Sequence, residues 1–208
     1  MKKSGIFSTI ISAILVVSVW PCGTQTRKVQ PDIKKFLTPG EIVWVLVTSA
    51  ERGPDCQVDI IDTIVAGKVY FRRLIGYKFT MSDFQQFLEG HLQSSRKFRR
   101  NVSDVLNVGY RGAAPTSEEK LLYLSQQYNC GVFEVKGLPN ASAGANYELR
   151  SKNPSNEGAL NTQCFKAYNK TAARGKRRRI SVDPYCEDIL KGNSDIVSSI
   201  NMASGAIG

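Results

Sequence analysis

Beyond Gly40 the chain breaks into short apolar runs separated by Gly, Pro and polar turns. "EIVWVLVTSA" (41–50) is β-branched and aromatic and too short for a helix, so a strand is expected there. "RGPD" reads as a turn, "CQVDIIDTIV" (56–65) as a second strand, Gly67 as another turn, and "KVYFRRLIGYKF" (68–79) as a third strand. Turn signals at roughly ten-residue spacing point to an antiparallel sandwich or barrel. Ahead of these strands, "PDIKKFLTPG" (31–40) reads as a helical turn or two, ended by Pro39-Gly40.

Residues 81–93 fit two descriptions. Phe84, Phe87, Leu88 and Leu92 have helical spacing behind a capping Ser82, and a strand pair fits nearly as well. The segments "SSRKFRRNV" and "VLNVGYRG" read as strands or loop edges, while "KLLYLSQ" and "CGVFEV" read as a hairpin joined by "QYN". "ANYELRS" (145–151) is the next strand, residues 161–173 look helical, and a basic stretch and a short Cys186 segment follow. The domain expectation is a leader at 1–23, one domain over 24–190, and a flexible tail over 191–208.

Lys2 and Lys3 precede an apolar run, Ile6 to Trp20, that Pro21, Cys22 and Gly23 break. The run is shorter than the roughly 20 residues a membrane span needs, so it reads as a secretory signal peptide cleaved near 18–23. No other stretch is long enough to cross a membrane. Composition is globular, with 42% hydrophobic and 22% charged residues. Losing the two leader lysines lowers the net charge from +10 to about +8, a balance that favours anionic partners. Nucleic acid is not indicated, because aromatic and basic residues are not interleaved as in single-strand binders.

Outside the leader four cysteines remain, Cys56, Cys130, Cys164 and Cys186. None are two residues apart and His91 is the single histidine, so two disulfides are expected and a zinc site is not. Three connectivities are possible. Sequons at Asn101, Asn140 and Asn169 agree with export. No cofactor motif, nucleophile setting or paired carboxylates can be read off the chain, so no catalytic residue is expected.

Cys130 with "GVFEV", Tyr147-Glu148-Leu149, Cys164 and Cys186, with Cys56 after the first strand, carry a resemblance over roughly residues 30–190. In these positions the chain resembles the tick salivary lipocalins of the histamine-binding family. Two positions depart from that pattern: Gly131 stands where aspartate is expected, and Arg150 where tryptophan or tyrosine is. The resemblance implies an eight-stranded antiparallel lipocalin-type barrel with a short N-terminal helix and a C-terminal helix packed on its side. It also implies the pairings Cys56–Cys186 and Cys130–Cys164, worth about 5 and 4 kcal/mol as upper values from chain entropy.

Alternation in "KVYFRRLIGYKF" places Val69, Phe71, Arg73, Ile75, Tyr77 and Phe79 on the more apolar, inward row. A guanidinium there needs an internal acid, a bulge that turns it to solvent, or an anionic ligand. By the resemblance Glu148 faces the cavity and grips a ligand amine, with Arg150 on the same side. Trp44, Phe71, Tyr77, Tyr123 and Tyr147 are candidate aromatic faces for such a cation. The functional expectation is a secreted, non-enzymatic salivary protein that sequesters a host mediator, by family a biogenic amine such as histamine or serotonin. The alternatives are an anionic lipid mediator (a leukotriene or fatty acid) held by Arg73 or Arg150, and a surface for a host protein or glycosaminoglycan. That surface would be the basic cluster Arg174, Lys176, Arg177, Arg178 and Arg179, which also reads as a solvated loop or a processing site.

Overall fold

The computed structural model describes residues 29–96, 101–138, 144–153, 162–172, 178–179 and 184–192. The expected leader with Cys22, the sequon residue Asn140, the basic residues Arg174, Lys176 and Arg177, and residues 193–208 of the expected tail lie outside them. Among the described residues, no helix is long and apolar enough to cross a membrane.

Eight strands follow one another in antiparallel order: β1 (Ile42–Thr48), β2 (Cys56–Val65), β3 (Lys68–Tyr77), β4 (Ser82–Gln93), β5 (Val105–Tyr110), β6 (Ser117–Leu124), β7 (Cys130–Gly137) and β8 (Ala145–Ser151). Because β1 bonds to both β2 and β8, the sheet closes on itself. A two-residue turn with positive φ at Ala66 (48°) and Gly67 (80°) joins β2 to β3, the geometry that matches strand twist in a tight hairpin. Residues 82–93 are strand throughout, which decides the ambiguity in favour of sheet.

Two apolar cores result. The inner one fills the lower barrel with Val69, Phe71, Leu88, Leu106, Leu121 and Phe133. Its floor is α1 (Ile33–Phe36), whose Ile33 and Phe36 are fully buried and whose N-cap Asp32 accepts from Lys34 N. The outer core lies between the barrel wall and two helices, α2 (Gln163–Thr171) and α3 (Pro184–Gly192). Wall residues Trp44, Val58, Ile60, Val132 and Leu149 meet Tyr168 and Ile189 there.

Each helix is tethered covalently, α2 by Cys130–Cys164 and α3 by Cys56–Cys186. Both implied pairings are therefore present. A Cβ on Gly76 would run into Ile189, so β3 needs glycine where α3 crosses it. The Cys186 segment is thus a nine-residue helix, and Lys191 and Gly192, expected in the tail, belong to it. Arg178 and Arg179, expected in a loop, form a short strand β9 against Thr48 and Val47 where β1 has left β2.

Candidate functional site

Register, read strand by strand, fixes what faces inward. Asp59 on β2 pairs with Arg73 on β3, Glu119 on β6 with Leu106 on β5, and Arg150 on β8 with Val45 on β1 and Gly131 on β7. Glu148 lies two residues closer to the end of the barrel where β3 meets β4 and β7 meets β8, the mouth. The expected inward row of β3 is present as far as Tyr77. There the strand ends, and Phe79 is 99% exposed, so its inclusion in that row is corrected.

These inward polar residues form one network across the barrel. Arg73 donates from Nε and Nη2 to the two oxygens of Asp59 at 2.7 and 2.8 Å, and from Nη2 to Glu119 Oε1 at 3.1 Å. Arg150 donates from Nη1 to Glu119 Oε2 at 2.5 Å and from Nε and Nη2 to Glu148 Oε2 at 2.8 and 2.6 Å. Each guanidinium also lies over an aromatic ring, Arg73 over Phe71 at 5.4 Å and Arg150 over Phe133 at 4.5 Å. Buried charge is tolerable only when answered this fully.

Burial pushes the Glu119 carboxyl up, but Arg150 and Arg73, by charge and by hydrogen bond, overcome it and hold the group down at about 2. The same contest raises both arginines: burial lowers them, while Asp59 and Glu119 (for Arg73) and Glu119 and Glu148 (for Arg150) more than compensate. Arg73, foreseen as a charge that must be neutralised, is answered by two acids. Neither Asp59 nor Glu119 was singled out as its partner, because no residue pattern tells which strands meet across a barrel. Glu148 and Arg150, two residues apart on one strand, neutralise each other.

Three carboxylates thus face two guanidiniums, leaving one surplus negative charge. It is nearest the mouth, where Glu148 Oε1 has no hydrogen bond to a described residue. Below the network a cavity of only about 10 Å3 remains, bounded by Leu37, Val43, Asp59, Glu119, Phe133 and Arg150, room for about one water. Above it, Tyr77 stacks on Phe84 with centroids 6.2 Å apart, and Gln86 donates to the Tyr110 hydroxyl at 3.1 Å. Phe84 and Tyr110 are the aromatic residues that the sequence reading missed. Their strand partners Ile75 and Leu88 place them on the inward side.

The closed eight-strand meander, floored by a short helix and flanked by disulfide-tethered helices, settles the architecture. The barrel is of the lipocalin type. No family model matches the chain, and no curated protein matches it in sequence. Among solved structures the chain is similar to AM182 in its serotonin complex, with 18% identity and TM-score 0.48 over 74% of this chain and 90% of that one. It is also similar to the cockroach allergen Per a 4, with 14% identity and TM-score 0.44 over 66% and 81%. A third is Japanin from Rhipicephalus appendiculatus bound to cholesterol, with 11% identity and TM-score 0.44 over 72% and 99%.

Three expected aromatic faces, Trp44, Tyr123 and Tyr147, lie on the outer side of the lipocalin barrel. Trp44 alternates with inward Val43 and Val45 and so points into the outer core. Tyr123 is turned outward by a bulge between Leu121 and Tyr123, and its hydroxyl donates to Gln163 of α2 at 3.3 Å. Both are corrected from cavity lining to helix packing. Tyr147, also on the outer side, donates to Glu134 at 3.4 Å, while Phe71 sits beneath Arg73 inside. His91 pairs with Glu89 at 2.8 Å on the outer face of β4. Of the sequon residues, Asn101 is exposed, whereas Asn169 is half-buried on α2 and Thr171 donates its hydroxyl to Ala167 O at 2.9 Å.

Proposed function

We propose that the protein is a secreted lipocalin that sequesters a small cationic mediator, a biogenic amine such as histamine or serotonin, at the barrel mouth. One observation carries this reading: the inward network is one cation short, and the unclaimed carboxylate oxygen belongs to Glu148 on its mouth side. An ammonium seated there completes the charge balance, and Tyr77, Phe84 and Tyr110 supply faces for a cationic ring. The chemistry is binding without turnover. Two disulfides in 208 residues support export to an oxidising compartment.

The geometry favours the amine over an anionic lipid. Arg73 and Arg150, the cations an acid headgroup needs, are committed to Asp59, Glu119 and Glu148. A long chain also has no room below them.

Titration calorimetry of the oxidised protein against histamine, serotonin and a leukotriene tests the reading. Saturable one-to-one amine binding that drops at least tenfold in Glu148→Gln is expected. Heat from the leukotriene alone, or amine affinity unmoved by Glu148→Gln, would defeat it.

A further inference from the structure

The surroundings of Arg150 have the composition of a receptor site for an organic cation. Two carboxylates, Glu119 and Glu148, accept three hydrogen bonds from it at 2.5 to 2.8 Å, and the Phe133 ring lies 4.5 Å from its Cζ. Arg150 is 4% exposed and Glu119 is fully buried. Opposite Arg150 stands Gly131, where a Cβ would come within 2.8 Å of Leu121 Cδ1, so the wall there holds no side chain of its own. A cation, two acids and a ring in a space that leaves only about 10 Å3 over make a binding site already filled.

We infer that the barrel interior contains a second, deeper cation site, for an alkylguanidinium, which the chain occupies with its own Arg150. Arg150 is then the specificity-determining residue of the barrel: it closes the lower site and confines any incoming ligand to the mouth. This holds whether or not an amine binds above Glu148.

Chemical complementation tests it. Arg150→Ala removes the atoms of ethylguanidinium from the site. The variant should melt below the wild type and recover most of that loss with millimolar ethylguanidinium, saturably, while the neutral isostere ethylurea restores nothing. The wild type, whose lower site is already filled, should gain clearly less, since only the mouth beside Glu148 is open to the cation. Adding Glu119→Gln to Arg150→Ala should weaken the rescue at least tenfold, which separates this site from the mouth, where Glu148 is the tested group. Equal rescue by ethylurea, equal stabilisation of the wild type, or an Arg150→Ala chain that stays unfolded with ethylguanidinium present each overturns the inference. An independent reading comes from the unaltered protein: the Arg150 Nε–H should exchange with solvent far more slowly than those of exposed arginines, and exchange at the same rate overturns it too.

Discussion

Glu119→Gln isolates the electrostatic contribution of the barrel network, because glutamine keeps the shape and removes the charge. The wild-type carboxyl is held down at about 2 against an ordinary 4.5. At about 1.36 kcal/mol per tenfold change in proton affinity, that difference amounts to ~3 kcal/mol of stability in a group fully withdrawn from solvent. The folded value lies below the unfolded one, so the contribution is fully present above pH 4.5 and is lost as pH falls through 2. Glutamine, resembling the protonated acid, never has it. Thermal melts of the oxidised proteins at neutral pH should therefore differ by roughly 6 to 12 °C, at 2–4 °C per kcal/mol for a chain of this size. The gap should narrow between pH 4.5 and 2 and nearly close at the lower limit. A gap that is the same at pH 7 and pH 2.5, or absent at pH 7, would refute the account of Glu119 as a buried anion stabilised by Arg150 and Arg73.

Phe36→Ala removes the ring that floors the barrel, fully buried and 5.5 Å from Phe133; urea denaturation should report a loss of about 3–5 kcal/mol. Phe79→Ser changes a residue that is 99% exposed, so the same assay should register less than about 0.5 kcal/mol. Replacing Cys56 and Cys186 with serine should destabilise more than replacing Cys130 and Cys164, because the loops span 130 and 34 residues and loop entropy grows with length. Guanidinium midpoints of the two double variants give the order directly.

The strand plan was readable where short β-branched runs lay between turn signals, as in β1 to β3, even though bulges break the alternation of β1 and β2. β4 was not, for a physical reason: Phe84, Leu88 and Leu92 are four apart, a spacing that suits one helix face and one strand face equally. Only Phe87, which lies outward beside Arg72, distinguishes the two. Single inserted residues defeated parity elsewhere, since the bulge after Leu121 sends Tyr123 to the opposite side. Arg73 announced its need for an acid, but which acids answer depends on strand register between distant segments. The Glu148–Arg150 pair was within reach because both residues sit on one strand. The disulfide pairing came from the family likeness and not from the cysteine positions.

The helices and both cross-links cover the barrel unevenly. α2 rests on β6, β7 and β8, and α3 on β2 and β3, with the Tyr185 hydroxyl of α3 donating to Ser82 O at the first residue of β4. On their outer side the two strands β4 and β5 carry exposed Phe87 and half-exposed His91. With no cross-link of their own they are the expected seam of the cylinder, and their amide protons should be replaced by deuterium ahead of those in β1, β7 and β8. A molecule trapped inside would then have a lateral exit through that seam, well away from the cross-linked half of the ring.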